Sequence, residues 1–155
     1  LYLIARIADT RVALRSRAIN SVVTVGTPVE VPAAPPHVAG LFALRSRVFT
    51  LIDPHVVVGL PAVPVVPGQR VIVVDVAEHG YALLADEIED VCFIEAPETR
   101  VAGKLLPGWA RVADAMIEHD GASLLVVDPS HFITLPTLKA AGFRPFINGV
   151  HTPSR

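Results

Sequence analysis

Short apolar runs closed by tight turns recur along this chain, and they restrict it to a β architecture. The clearest case is Asp120-Gly121, which separates residues 116–119 from residues 123–127. Asp-Gly accepts positive φ at both central positions of a two-residue hairpin turn. Residues 41–44 and 48–52 flank Arg45-Ser46 in the same manner, and residues 71–77 and 81–85 flank Glu78-His79-Gly80. At the start, residues 1–7 and 11–14 surround a turn at Asp9-Thr10, and residues 22–25 form a β-branched run that ends at Gly26. Five or more such pairs at roughly 8–12-residue spacing predict a barrel or a sandwich. Helical signals are few. Residues 15–21 have room for one or two turns. Asp128-Pro129 is a good helix start, because Asp caps free amides and Pro fits the first helical position; that helix is expected over about residues 131–135, before Pro136. Residues 101–110, interrupted by Gly103, Pro107 and Gly108, read as a loop.

Size and composition narrow the function classes. A chain of 155 residues is one domain by default and buries roughly two thirds of its unfolded surface. With 52% hydrophobic and 18% charged residues it is not a disordered tail. Its most apolar stretch, residues 56–66, contains Gly59, Pro61 and Pro64 and is shorter than the roughly 20 residues a bilayer requires, so no membrane insertion is expected. The formal charge is −2, with 11 Arg and 2 Lys dispersed along the chain, which argues against nucleic acid as a partner. A lone Cys92 excludes an internal disulfide, and no basic leader precedes the first apolar run. A cytoplasmic protein is expected. Two Pro-rich connectors, residues 28–36 and 61–67, divide the hairpins into two groups that are each too small to stand alone, which predicts a shared core. No internal sequence repeat stands out. Residues 136–155 are expected to be a loosely ordered extension.

The search for chemistry ends without an active site. None of His37, His55, His79, His119, His131 and His151 stands at ligand spacing from another His, Cys or carboxylate, so neither metal nor cofactor is expected. His79 and His119 fall in predicted turns and read as solvated. Asp128, Ser130 and His131 are sequence neighbours at a helix start, where capping explains them. There is no G-x-S-x-G elbow, and Gly103-Lys104 lacks the rest of a phosphate loop. Cys92, between Val91 and Phe93, reads as a buried core thiol. Asp86, Glu87, Glu89 and Asp90 read as a solvated strand end. An enzyme is not expected.

Residues 36–53, PHVAGLFALRSRVFTLID, resemble the CheW-like domain, whose corresponding segment runs roughly P-x-x-(I/V)-x-G-(V/L)-x-N-L-R-G-x-x-(V/I)-P-(V/I)-(V/I)-D-L. Residues 70–76 followed by 81–91 look like the second-barrel hairpin of that family. Residues 113–132 look like its closing hairpin and helix. The resemblance implies an all-β fold of two intertwined five-stranded SH3-like barrels sharing a core, one domain over residues 1–135. On this reading barrel one holds about residues 10–70, and barrel two holds about 1–9 plus 71–135. It implies a non-catalytic adaptor that couples chemoreceptor cytoplasmic tips to the CheA-type histidine kinase regulatory domain through an apolar groove and barrel-end contacts. Ile19 and Val22 match groove-facing apolar positions, and Arg45 matches the turn arginine. Ala43, Ser46, Thr50 and Pro54 depart from the family's Asn, Gly, Pro and Leu, and Ser21 stands where Glu is frequent. The competing readings are a small-molecule-binding β-barrel and a structural domain that self-associates through strand edges.

Overall fold

The computed structural model describes residues 1–133. Ten strands form its framework. They are β1 (Tyr2–Ile7), β2 (Thr10–Arg15), β3 (Ser21–Thr24), β4 (Val38–Leu44), β5 (Arg47–Ile52), β6 (Arg70–Val76), β7 (His79–Leu84), β8 (Glu87–Cys92), β9 (Ala113–His119) and β10 (Ala122–Val127). Helices α1 (Pro54–Val57) and α2 (Pro107–Val112) and the 3-10 turns Ser16–Ala18 and Pro129–Phe132 complete it. The first sheet runs β8-β1-β2-β10-β9 and the second β3-β6-β7-β5-β4.

Turn chemistry sets the pairing. Each of the four hairpins has a two-residue turn with both central residues at positive φ: Ala8-Asp9 (47°, 63°), Arg45-Ser46 (51°, 66°), Ala77-Glu78 (50°, 67°) and Asp120-Gly121 (49°, 78°). That geometry matches the right-handed twist of the flanking strands. The Arg45-Ser46 and Asp120-Gly121 turns are those expected. The other two fall one residue earlier than the composition suggests, which moves His79 out of a turn and into β7.

Strand alternation then divides the core into three. On β6, Val71 and Val73 face the lumen of the second sheet, while Ile72 and Val74 face the first sheet; on β7, Ala82 and Leu84 alternate with Tyr81 and Leu83 in the same way. On β10, Leu124 and Val126 face the other lumen, and Leu125 and Val127 face the seam. The seam cluster joins Leu3, Ile7 and Leu14 of the first sheet to Ile52, Ile72 and Leu83 of the second, with Trp109 and Phe132 packed edge to face among them. Strands apolar on both faces explain runs such as Val71-Ile72-Val73-Val74, and they account for the 52% hydrophobic content of so small a chain.

Each sheet closes on itself through the connector leaving one edge strand. The chain after β3 pairs Val29 with Leu41 of β4 (2.8 and 2.9 Å), and the chain after β8 pairs Thr99 with Met116 of β9 (both 2.8 Å). Gly40, at φ +148°, allows the first closure, since a Cβ there would lie 2.8 Å from the Val29 carbonyl oxygen.

The two-barrel architecture with a shared core is as expected; the allotment of strands is different. β2 stays with β1, because a two-residue turn holds them antiparallel, and β6 and β7 belong to the second sheet. The barrels are therefore β3–β7, and β8–β10 with β1–β2, rather than residues 10–70 against 1–9 plus 71–135. Residues 86–90, read as a solvated strand end, are largely edge strand β8 itself. The loop expected over residues 101–110 ends in α2, where Pro107 occupies the first turn and Gly108 presses against the Val58 backbone so closely that a Cβ would lie 2.1 Å from its oxygen. Asp128 caps Ser130 as expected, opening the 3-10 turn Pro129–Phe132. The rest of that expected helix and the extension 136–155 lie outside the described residues.

Candidate partner-binding surface

Of the three residues singled out by the sequence, Ile19 and Val22 lie along the crossover from β2 to β3. β2 ends at Arg15, the 3-10 turn Ser16–Ala18 reverses the chain, and Ile19 enters β3 in an extended conformation. The Asn20 amide N–H donates to the Val73 carbonyl (2.8 Å), anchoring this crossover on β6. A recess of about 460 Å³ opens beside it, lined by Arg17, Ile19, Asn20, Val74, Asp75 and Asp128 among others. Ile19 also packs against the shared core. Val22 pairs with Ile72 across β3 and β6 and shares its face, so the apolar surface that is buried at Ile72 emerges into solvent at Val22, 37% exposed.

Arg45 stands apart, exposed at the β4–β5 turn. Arg17 lines the recess itself, and Arg47 reaches its margin through Asp75. The Arg47 guanidinium donates to Asp75 Oδ1 (2.8 Å) and lies over the Phe49 ring, while Asn20 Nδ2 donates to Asp75 Oδ2 (2.9 Å). The recess therefore has an organised, charge-paired polar rim beside its apolar residues. Nothing in the spacing of Asn20, Arg47 and Asp75 points to this; parallel pairing of β5 with β7 brings them together.

The mouth of the first barrel carries a second polar network. Arg15 donates to Glu98 Oε1 (2.7 Å) and to Asp114 Oδ2 (2.8 Å), and the Tyr2 hydroxyl donates to Glu98 Oε2 (2.5 Å). The Arg15 guanidinium, followed by the Tyr2 hydroxyl, holds the Glu98 carboxyl below the usual carboxylate range. The network ties the long β8–α2 connector across β1, β2 and β9.

Several groups differ from their sequence reading. His79 is buried rather than solvated: its Nε2 lies 2.9 Å from Thr50 Oγ1 and its ring meets Tyr81 edge-on. Burial lowers its pKa, and burial pushes His37 down to about 4. Cys92 is half-buried at the edge of β8, 3.9 Å from His119 Nε2; desolvation and the nearby Asp90 and Asp120 carboxylates raise its pKa, which disfavours the nucleophilic thiolate. Among the described residues one set of metal-type ligands converges, Asp9, His55 and Asp86. Their positions lie too far apart in the chain for a spacing pattern to reveal them.

The family model of the CheW-like domain matches residues 1–136. The chain belongs to the CheW-like family. Its fold is similar to that of the scaffolding protein TtCheW from Thermoanaerobacter tengcongensis, with a TM-score of 0.71 over 87% of this chain and 88% of that one, at 15% identity. No curated relative matches the chain. CheW-like scaffolding proteins are non-catalytic. Among the described residues no helix is long and apolar enough to cross a membrane.

Proposed function

We propose that this CheW-like protein is a cytoplasmic chemotaxis-type adaptor that couples the cytoplasmic tip of a chemoreceptor to the regulatory domain of a CheA-type histidine kinase. The observation that carries the reading is the Ile19–Val22 margin, where the shared apolar core reaches the surface beside the Asp75 recess. A helical hairpin laid along it would set apolar residues at i, i+3 and i+4 against Ile19 and Val22 and polar residues against the Asp75 rim. Arg45, at the neighbouring turn, adds a docking charge. Micromolar affinity corresponds to about 8 kcal/mol, within reach of a few good anchors, and an array multiplies such contacts by avidity.

Both barrel interiors are filled by their own side chains, Phe42, Phe49 and Leu51 in one and Ile4, Ile117 and Leu124 in the other, which disfavours a small-molecule-binding barrel. Calorimetry against a receptor-tip hairpin and against the kinase regulatory domain tests the adaptor reading. We expect micromolar binding to both, loss of receptor binding in Val22→Arg, and weakened docking in Arg45→Ala with little change in thermal midpoint. Silence toward both partners at high micromolar concentration would overturn it, and concentration-dependent self-association in its place would favour the structural domain.

A further inference from the structure

Away from the recess, three segments bring a histidine and three carboxylates together at the barrel seam. Asp53, buried, precedes α1; its Oδ1 accepts from the His55 backbone N–H (3.0 Å) and lies 3.1 Å from His55 Nδ1, and its Oδ2 accepts from the Val63 N–H (3.0 Å). With Nδ1 turned to Asp53, the outward ring nitrogen of His55 is Nε2. That atom faces Asp86, whose Oδ1 is 3.5 Å away, and the His55 side chain is only 9% exposed. Asp86 Oδ2 in turn accepts from the Asp9 backbone N–H (2.7 Å), which draws the Asp9 carboxylate to the same point. Ligand atoms of Asp9, His55 and Asp86 all lie within 4.8 Å of one another.

The electrostatics of this arrangement are unbalanced. Three carboxylates surround one imidazole, and among the described residues no lysine or arginine forms an ion pair with any of them. A cation seated between His55 Nε2 and the Asp86 and Asp9 carboxylates would be held by all three, since their ligand atoms converge within 4.8 Å. A carboxylate on Nδ1 with Nε2 directed outward is the usual support of a metal-bound histidine, fixing its tautomer and raising its basicity. We propose that Asp9, His55 and Asp86 form a binding site for a divalent transition ion of the zinc type, with Asp53 as the positioning residue for His55. One imidazole nitrogen with two carboxylate oxygens suits such an ion; magnesium and calcium favour all-oxygen sets. Bonds of about 2.1 Å require the two surface carboxylates to draw in by roughly an ångström. Asp9 sits on an exposed two-residue turn that permits this.

The site joins both barrels. Asp9 comes from the β1–β2 turn of one, His55 from α1 after the last residue of β5 in the other, and Asp86 from the link between β7 and β8. A bound ion would clamp the seam beside Ala8, Val57 and Ala85, which belong to the shared hydrophobic cluster.

Chelator-treated protein titrated with zinc chloride tests this by calorimetry and thermal melting, with the cobalt(II) absorption spectrum as a report on geometry. We expect one equivalent of zinc to bind and to raise the melting temperature. Asp9→Asn and Asp86→Asn, which keep side-chain size, should each weaken zinc about tenfold or more and change the cobalt spectrum, whereas Cys92→Ser should do neither. Absence of stoichiometric zinc binding by the wild type would overturn the proposal. So would equal zinc affinity in both Asn variants, which would place the ion elsewhere, or an equal response to magnesium chloride.

Discussion

Ser46 carries a conformational burden that the composition of its turn reveals. It sits at φ 66° where the CheW-like pattern has glycine, and a Cβ in that region is unfavourable. Ser46→Gly should therefore stabilise the fold by about 0.5–1 kcal/mol after allowing for the looser unfolded chain, raising the thermal midpoint by roughly 2 °C; a fall would mean that the serine makes a contact worth more than the strain. His37 makes a pH-dependent contribution. Its folded pKa is about 4 against about 6.5 for an ordinary histidine, so the unfolded chain takes up a proton first as pH falls. Stability is lost between about 6.5 and 4, by roughly 3 kcal/mol, and His79, also lowered, acts in the same direction. Urea denaturation at pH 7 and 4.5 should show His37→Gln losing less stability than the wild type over that interval; parallel losses would exclude His37 as the source. Residues whose setting is local were legible in the sequence: Asp120-Gly121 as a turn, Asp128 as a cap. Residues whose setting is tertiary were not. His79 stands beside a turn by sequence, yet pairing with β5 buries it against Thr50, and nothing within a few residues of Asp9, His55 or Asp86 signals their convergence.

At the scale of elements, hairpins were the legible unit, because an apolar run, a turn and a second run all lie within one short window. β8 was hidden by its composition: Glu87, Glu89 and Asp90 belong to an edge strand whose outer face needs no apolar residue, and charges there discourage edge-to-edge pairing. Helix α2 was hidden by Gly108, a poor helix former retained where the backbone of Val58 leaves no room for a side chain. The long connector between β8 and α2 is held by ion pairs more than by apolar packing. Glu98→Gln should speed hydrogen exchange at the Thr99 and Met116 amides, which bond each other's carbonyls, while lowering global stability by only about 1 kcal/mol. Unchanged exchange at those amides would show that the bridge, not the Arg15 network, secures the connector. The Asp-Pro steps at Asp53-Pro54 and Asp128-Pro129 open short helical turns after β5 and after β10 in equivalent ways. That correspondence is structural, in a chain without an evident sequence repeat.

The whole molecule is a permuted duplication in topology. Taken in order, β3-β4-β5-β6-β7 matches β8-β9-β10-β1-β2, down to the single parallel pairing in each barrel, β5 with β7 and β10 with β2. Two barrels and a common core were legible because Pro-rich connectors part the hairpins into groups too small to stand alone and because the chain resembles the CheW-like domain. The allotment of strands was not, since it depends on which hairpin each edge joins. Because the seam cluster draws on both sheets, the barrels should unfold together. Ile72→Ala, at the centre of that cluster, should cost about 3 kcal/mol, and Trp109 fluorescence and far-ultraviolet circular dichroism should report one coincident transition. Two separated transitions would show the barrels to be independent. The permutation also orders events during synthesis. The five strands of the middle barrel are contiguous and emerge from the ribosome as a complete set. The β1–β2 ribbon emerges before them, yet its partners β8 and β10 follow them in the chain. Until then the ribbon waits with its edges bare, so it is made before the middle barrel yet sheltered after it, and in the interval it offers chaperones an open strand edge.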